Sequence, residues 1–232
     1  MSDTQTSSAQ EALSEQSTLD MLKRERKAND AWHKLARNKM AVVGLVIVAF
    51  MVLLAVFAPL LAPQDPDAID VTKSLLKPGV EGHLFGTDAY GRDLLSRIIY
   101  GARISIFVAV GGSILGAIVG ILLGLVAGYF GGVVDSVIMR IMDGMMAFPF
   151  ILLALILMTI LGTGTINVIL AIGVSNVPSF ARVVRGQVHI VKNSEYCNAE
   201  RVLGASGSRI LFRHILMNSI SPIIVYFTLN VA

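Results

Sequence analysis

From Met40 to Ala62 the chain runs 23 residues without a charged side chain, and from Ile104 to Val134 it does so for 31 more. At ~1.5 Å of helix rise per residue, either run is long enough to cross a ~30 Å hydrocarbon core. A soluble chain would carry about a quarter charged residues; this one has 15% charged and 54% hydrophobic residues, with a mean hydropathy of +0.70. Lipid is therefore the expected solvent, and backbone groups facing lipid must be satisfied internally by helices or a closed barrel. The first 39 residues are polar, so the first run lies too late and is too long to be a cleaved leader. Residues 1–20, rich in Ser, Thr, Gln and Ala, read as a disordered tail. The net charge of +3 does not suggest a nucleic-acid partner, because the basic residues bracket apolar runs instead of forming one patch.

The fold class read from this pattern is an all-α polytopic membrane protein. Lys23, Arg24, Arg26, Lys27, Lys34, Arg37 and Lys39 precede the first span (40–62), which puts the 1–39 tail in the cytoplasm. The 63–103 loop is then extracytoplasmic. A second span over 104–130 carries Gly112, Gly116, Gly120, Gly124 and Gly128, one every four residues on a single helix face. That register predicts a groove for close approach by another backbone, with the partner helix unspecified. An inner turn and a third span occupy 131–161, the span proper running from Met145 and kinked by Pro149. A turn at 162–165 leads to a fourth span over 166–181. Segment 182–214 returns to the cytoplasm, because Arg182, Arg185, Lys192, Arg201, Arg209 and Arg213 outnumber Glu195 and Glu200 between 182 and 216. A fifth span over 215–232 reads as incomplete at Ala232.

The stretch SEYCNAERVLGASGSRILFRHIL, Ser194–Leu216, is charged and amphipathic between two apolar regions. Tyr196, Ala199, Val202 and Leu203 predict an apolar stripe on a short helix. Gly204 follows as a C-cap able to adopt positive φ. Ser206 or Ser208 can then cap a second helix with Ile210, Leu211 and Ile215 on its apolar face. Such a helix pair could lie on the bilayer, pack under the bundle or dock into another protein.

This stretch resembles the cytoplasmic signature loop of ABC importer permeases. Asn198, Ala199 and Glu200 fall at its Glu-Ala-Ala positions and Gly204 at its glycine, while Met217 stands where proline is usual. FGTDAYGRDLLSRIIYGARISI (Phe85–Ile106), VDSVIMRIMDGMMAFPFILLA and VPSFARVVRGQV are similar to segments of the dipeptide, oligopeptide and nickel importer group. The likeness covers about 40–232 and is greatest to its second, C-type permease subunit. It implies a type I importer transmembrane domain with five of six spans present and a permease core over 102–232. It also implies a homologous permease partner, two cytoplasmic ATPases and an extracytoplasmic solute-binding protein in a bacterial inner membrane. The coupling loop implied by the resemblance includes Glu195, Asn198, Ala199, Glu200, Gly204, Ala205 and Ser206. The chain contains no G-x-x-x-x-G-K-[ST] phosphate loop, so no cofactor is expected in it, and ATP with Mg²⁺ would bind the partner ATPase.

A channel or secondary transporter would fit the hydropathy equally well, although such proteins usually place ionisable residues within their spans. Gly204-Ala205-Ser206-Gly207 matches a serine-protease pattern only over four residues, with no histidine on a later span. His33, His83, His189 and His214 lack metal-ligand spacing, and Cys197, the single cysteine, excludes an internal disulfide. The expected function is a permease subunit, itself not an enzyme, for di- or oligopeptides, with nickel and glutathione-like peptides as alternatives.

Overall fold

The computed structural model describes residues 36–231. The polar tail, the basic residues Lys23 to Lys34, His33 and Ala232 lie outside the described residues. The chain divides after Leu61 into two compact units. The first holds α1 (Lys39–Val56) and the one-turn α2 (Ala58–Leu61). Asn38 opens α1 by accepting a hydrogen bond from the Ala41 N–H at 3.3 Å, which satisfies one of the free donors of the first turn. Val43, Val46, Ile47, Leu53 and Val56, spread around the helix, are each more than half exposed, as expected of a helix whose solvent is lipid.

The second unit begins with an irregular segment, 62–93, built from aspartate-centred turns. Asp70 accepts from the Thr72 N–H at 3.1 Å. Asp88 accepts from the backbone of Tyr90 and Arg92 at 2.8 and 3.0 Å and from Arg92 Nε at 2.8 Å. Gly91 has φ +77°, and a Cβ there would collide with the Asp70 carbonyl, so this turn needs glycine for both conformation and space.

Five helices follow: α3 (Leu94–Phe130), α4 (Gly132–Met146), α5 (Phe150–Leu161), α6 (Thr165–Lys192) and α7 (Glu195–Val202). The last, α8, runs from Gly207 to Val231 and is π-helical over Ile210–Leu216. Among the described residues four helices are long and apolar enough to cross a membrane, or five if the bent pair α4–α5 forms one span. Among the described residues the β-structure is two isolated bridges in the 62–93 segment. One apolar cluster joins Leu125 of α3, Val184, Val188 and Val191 of α6, Cys197 of α7 and Ile210, Leu211, Ile215 and Ile223 of α8. A smaller one packs Met142 of α4 on Val177 and Ala181 of α6.

Several expected boundaries move. The second helix starts at Leu94, not near 104, because Asp93 caps it by accepting from the Ser96 N–H at 2.8 Å. Its 37 residues make it ~55 Å long, well beyond a ~30 Å core. It ends at Phe130, with Gly131 at φ +68° turning the chain. The third span is not one kinked helix. Pro149 has no N–H and disfavours helical geometry at Phe148, and α4 and α5 meet at 89°. The fourth helix continues to Lys192 through Pro178, so the first eleven residues of the 182–214 segment are helical. The fifth starts at Gly207, because the expected second amphipathic helix and the span form one continuous helix.

Candidate functional site

The glycine seam is the contact between α3 and α6. Cβ atoms built at Gly112, Gly116 and Gly124 would lie 2.8 Å from Ile172 Cγ2, 2.8 Å from Asn176 Cβ and 2.5 Å from the Ala181 oxygen, and one at Gly128 would lie 2.7 Å from Val188 Cβ. One at Gly120 would collide with Phe180 Cβ and lie 2.8 Å from the Val177 oxygen. Each glycine therefore lets the α6 backbone approach closer than any side chain permits. The matched positions, 112 with 172, 116 with 176, 120 with 180, 124 with 184 and 128 with 188, keep a constant offset, so the helices run parallel in fixed register.

At the far end of α6, Ser194 precedes α7, and Glu195 stands in its first turn. Helix α7 ends in a Schellman motif. Gly204 has φ +81°, its N–H donates to the Arg201 carbonyl at 3.0 Å, and the Ala205 N–H donates to the Glu200 carbonyl at 3.0 Å. A Cβ at Gly204 would meet open space, so the constraint there is conformational. Ser206 takes the N-cap position of α8 without a side-chain cap bond.

The two apolar faces have different fates. Ile210, Leu211 and Ile215 are buried in the bundle. The stripe on α7 points away: Val202 is 88% and Leu203 81% exposed, with Tyr196 and Ala199 also exposed, and the residue anchoring α7 is the fully buried Cys197. Asn198 is exposed and accepts from Arg201 at 2.8 Å, while Glu200 is half-buried with His214 Nε2 3.7 Å away. The described helices of this chain leave the stripe uncovered.

Charged groups tie the same end together. Arg185 of α6 grips Asp135 of α4 with two bonds of 2.5 and 2.6 Å, and Arg182 reaches Asp143 at 2.8 Å. Planar two-point pairing of this kind fixes orientation as well as distance. Lys192 Nζ donates to the Tyr129 carbonyl at the end of α3, and Arg201 of α7 donates to the Lys192 carbonyl at 3.3 Å. Asp135, Arg140 and Asp143 mark a charged face on α4 in the sequence, but the partners of Asp143 and Asp135, 39 and 50 residues away, carry no local signal.

Two further groups were not singled out from the sequence. Ser113 of α3 donates to Asn230 of α8 at 3.2 Å, and Asn230 donates to Asn176 of α6 at 3.3 Å. Isolated polar residues in apolar runs were the available cue. In the 62–93 segment, buried His83 pairs through Nδ1 with Asp93 Oδ1 at 2.9 Å, and Asp93 Oδ2 accepts from the Ser96 hydroxyl at 2.7 Å. Burial acts to raise the Asp93 carboxyl, but bonds from the Ser96 backbone, His83 and the Ser96 hydroxyl outweigh it and hold its pKa below the usual range. No cluster of three or more metal-ligating side chains occurs among the described residues.

Residues 120–232 match the family described as the binding-protein-dependent transport system inner membrane component, and residues 28–78 match the N-terminal TM domain of oligopeptide transport permease C. A dipeptide transport system permease protein of Alkalihalophilus pseudofirmus is 45% identical over 204 residues, covering 87% of this chain and 66% of that protein. An oligopeptide transport system permease protein of Bacillus subtilis is 40% identical over 202 residues, 87% of this chain and 66% of that one. A glutathione transport system permease protein of Shigella flexneri is 40% identical over 203 residues, 88% of this chain and 67% of that one. The chain thus spans slightly less than two thirds of several curated relatives.

Proposed function

The chain belongs to the inner-membrane component family of binding-protein-dependent transport systems, and from that premise we propose that it is a permease subunit of an ATP-driven importer of di- or oligopeptides. It forms half of the translocation pathway in a bacterial inner membrane, with its N-terminus in the cytoplasm. A homologous permease completes the pathway. An extracytoplasmic binding protein delivers the solute, and two cytoplasmic ATPases bind ATP with Mg²⁺. The chain itself is not an enzyme in this reading.

The observation that carries the coupling role is the outward apolar end of α7. Val202 and Leu203 are almost fully exposed on a helix whose other side is anchored by Cys197 and whose exit angle is set by the Schellman glycine. Apolar side chains presented on a rigid, charge-flanked helix suit a groove on a protein partner. The tie from Arg201 through Lys192 to Tyr129 supports transmission of movement from that helix to α3.

The test is co-purification with the subunits that assemble on it, identification of the ligand of the associated binding protein, and uptake in proteoliposomes. Peptide uptake that requires ATP and both partners is expected; uptake driven by an ion gradient without an ATPase overturns the reading. Glutathione as the bound ligand would retain the importer and change its substrate, an outcome supported by the name of the Shigella flexneri relative.

A further inference from the structure

A cavity of about 670 Å³ lies between α3, α6 and α8, with Phe150 of α5 also in its wall. It falls within the ~300–1,000 Å³ range of small-molecule sites. Every residue lining it is uncharged, and Ser105, Ser113, Asn176, Ser179 and Asn230 supply its polar atoms.

The hydrogen bonds among these groups are incomplete in one direction. The Ser113 hydroxyl is spent on Asn230, and the Asn230 amide on the Asn176 oxygen. Asn176 is only 8% exposed, yet its amide nitrogen finds no acceptor among the described residues. The hydroxyls of Ser105 and Ser179 line the cavity and likewise make no bond among the described residues. Bonding between helices accounts for the Ser113–Asn230–Asn176 chain; it does not account for donors left facing the cavity in an otherwise apolar bundle.

The break between α4 and α5 adds to the same wall. Phe150 is the first residue of α5, and that helix starts at Pro149 with no side-chain cap. Phe150 alone of α5 lines the cavity, so the amino end of that helix, where the dipole is positive, lies beside its wall. Interrupted helices whose amino ends face a solute are a recurrent way to bind acceptor groups inside a membrane.

We infer that this cavity is a solute station on the translocation path that holds a peptide by its main-chain carbonyl and carboxylate oxygens. The inference rests on the importer reading above and extends it to the residues that touch the solute. The donors are neutral, so they engage the oxygens every peptide shares, and the lining has no charge with which to select a side chain by sign.

The assembled transporter is tested in proteoliposomes with trialanine and its loaded binding protein. Ser179→Ala leaves the Ser113–Asn230–Asn176 chain intact and is expected to slow uptake about 2- to 10-fold, the size of one lost hydrogen bond, with assembly and ATP hydrolysis retained. Separately, a cysteine at Ser179 is expected to react with a maleimide several-fold more slowly during trialanine transport, while one at exposed Ile118 reacts at an unchanged rate. Normal uptake by Ser179→Ala together with no protection at 179, in a complex that transports trialanine, overturns the station alone. Absence of ATP-driven trialanine uptake by the unaltered complex overturns the importer reading, and the station with it.

Discussion

Gly204 and Asp93 show how much of this protein depends on single backbone positions. At φ +81° a β-branched side chain is strongly disfavoured, and even an ordinary residue loses about 1–2 kcal/mol. Gly204→Val should therefore break the Schellman turn, while Ser206→Val, at a position with ordinary φ, should not. We expect an inserted chain whose substrate-stimulated ATP hydrolysis and uptake fall together; full coupled transport by Gly204→Val would remove α7 as the coupling element. Asp93 caps the amino end of α3. Its pKa is depressed in the folded chain, so its contribution is present above the ordinary aspartate value of about 4 and is lost as pH falls through the lower folded value. Asp93→Asn should lower resistance of the 62–93 segment to proteolysis at pH 7, by about 1–3 kcal/mol of local stability. It should also flatten the acid dependence seen in the parent. Parallel acid curves for the two proteins would assign that dependence to Asp70 and Asp88, whose carboxyls are also held low.

Among the helices, the α3–α6 contact has the sharpest sequence signature and the sharpest test. The five-fold glycine spacing was legible because a four-residue repeat on a helix has one geometric meaning, a bare stripe. Its partner was not, because α6 answers with Ile172, Asn176, Phe180, Val184 and Val188, residues that are ordinary in any apolar helix. The α4–α5 break was half legible: Pro149 announced a bend, but nothing local in the sequence announced its size of 89° or the pairing of α4 with α6 through Asp135 and Asp143. The outward stripe of α7 was legible as a stripe, yet its direction follows from burial of Cys197, which carries no periodic signal. Gly120→Ala should cost about 1–3 kcal/mol, as overpacking against Phe180 and the α6 backbone. Gly101→Ala on the same helix, where a Cβ meets nothing within 4 Å, should be neutral or stabilise by up to about 1 kcal/mol. Thermal unfolding in detergent separates them, and equal effects would mean that the seam is not packed as described.

At the scale of the whole second unit, the parallel contact of α3 and α6 decides how often the chain crosses. Two parallel neighbours begin on the same side, so the residues between them must carry the chain back from the end of α3 to the start of α6. The bent pair α4–α5 is the segment available to do this, although α5 alone, at 12 residues or ~18 Å, is too short to span ~30 Å. Helix α8 then returns antiparallel to α6, since Phe180 meets Tyr226 while Asn176, earlier on α6, meets the later Asn230. The sidedness we propose puts the 62–93 segment on the extracytoplasmic face and the basic α6–α8 connection on the cytoplasmic face, as the charge bias favours. A membrane-impermeant maleimide applied to sealed right-side-out vesicles should label a cysteine at exposed Leu84 and leave one at exposed Ser208 unmodified, with the pattern reversed in inverted vesicles. Native Cys197 is fully buried and should stay silent in both. Labelling of Ser208→Cys but not Leu84→Cys from outside would invert the sidedness and leave the register standing. Labelling of both from outside would require α4–α5 to re-enter and leave on the same face, which the parallel register of the glycine seam does not permit, and that result would overturn the register.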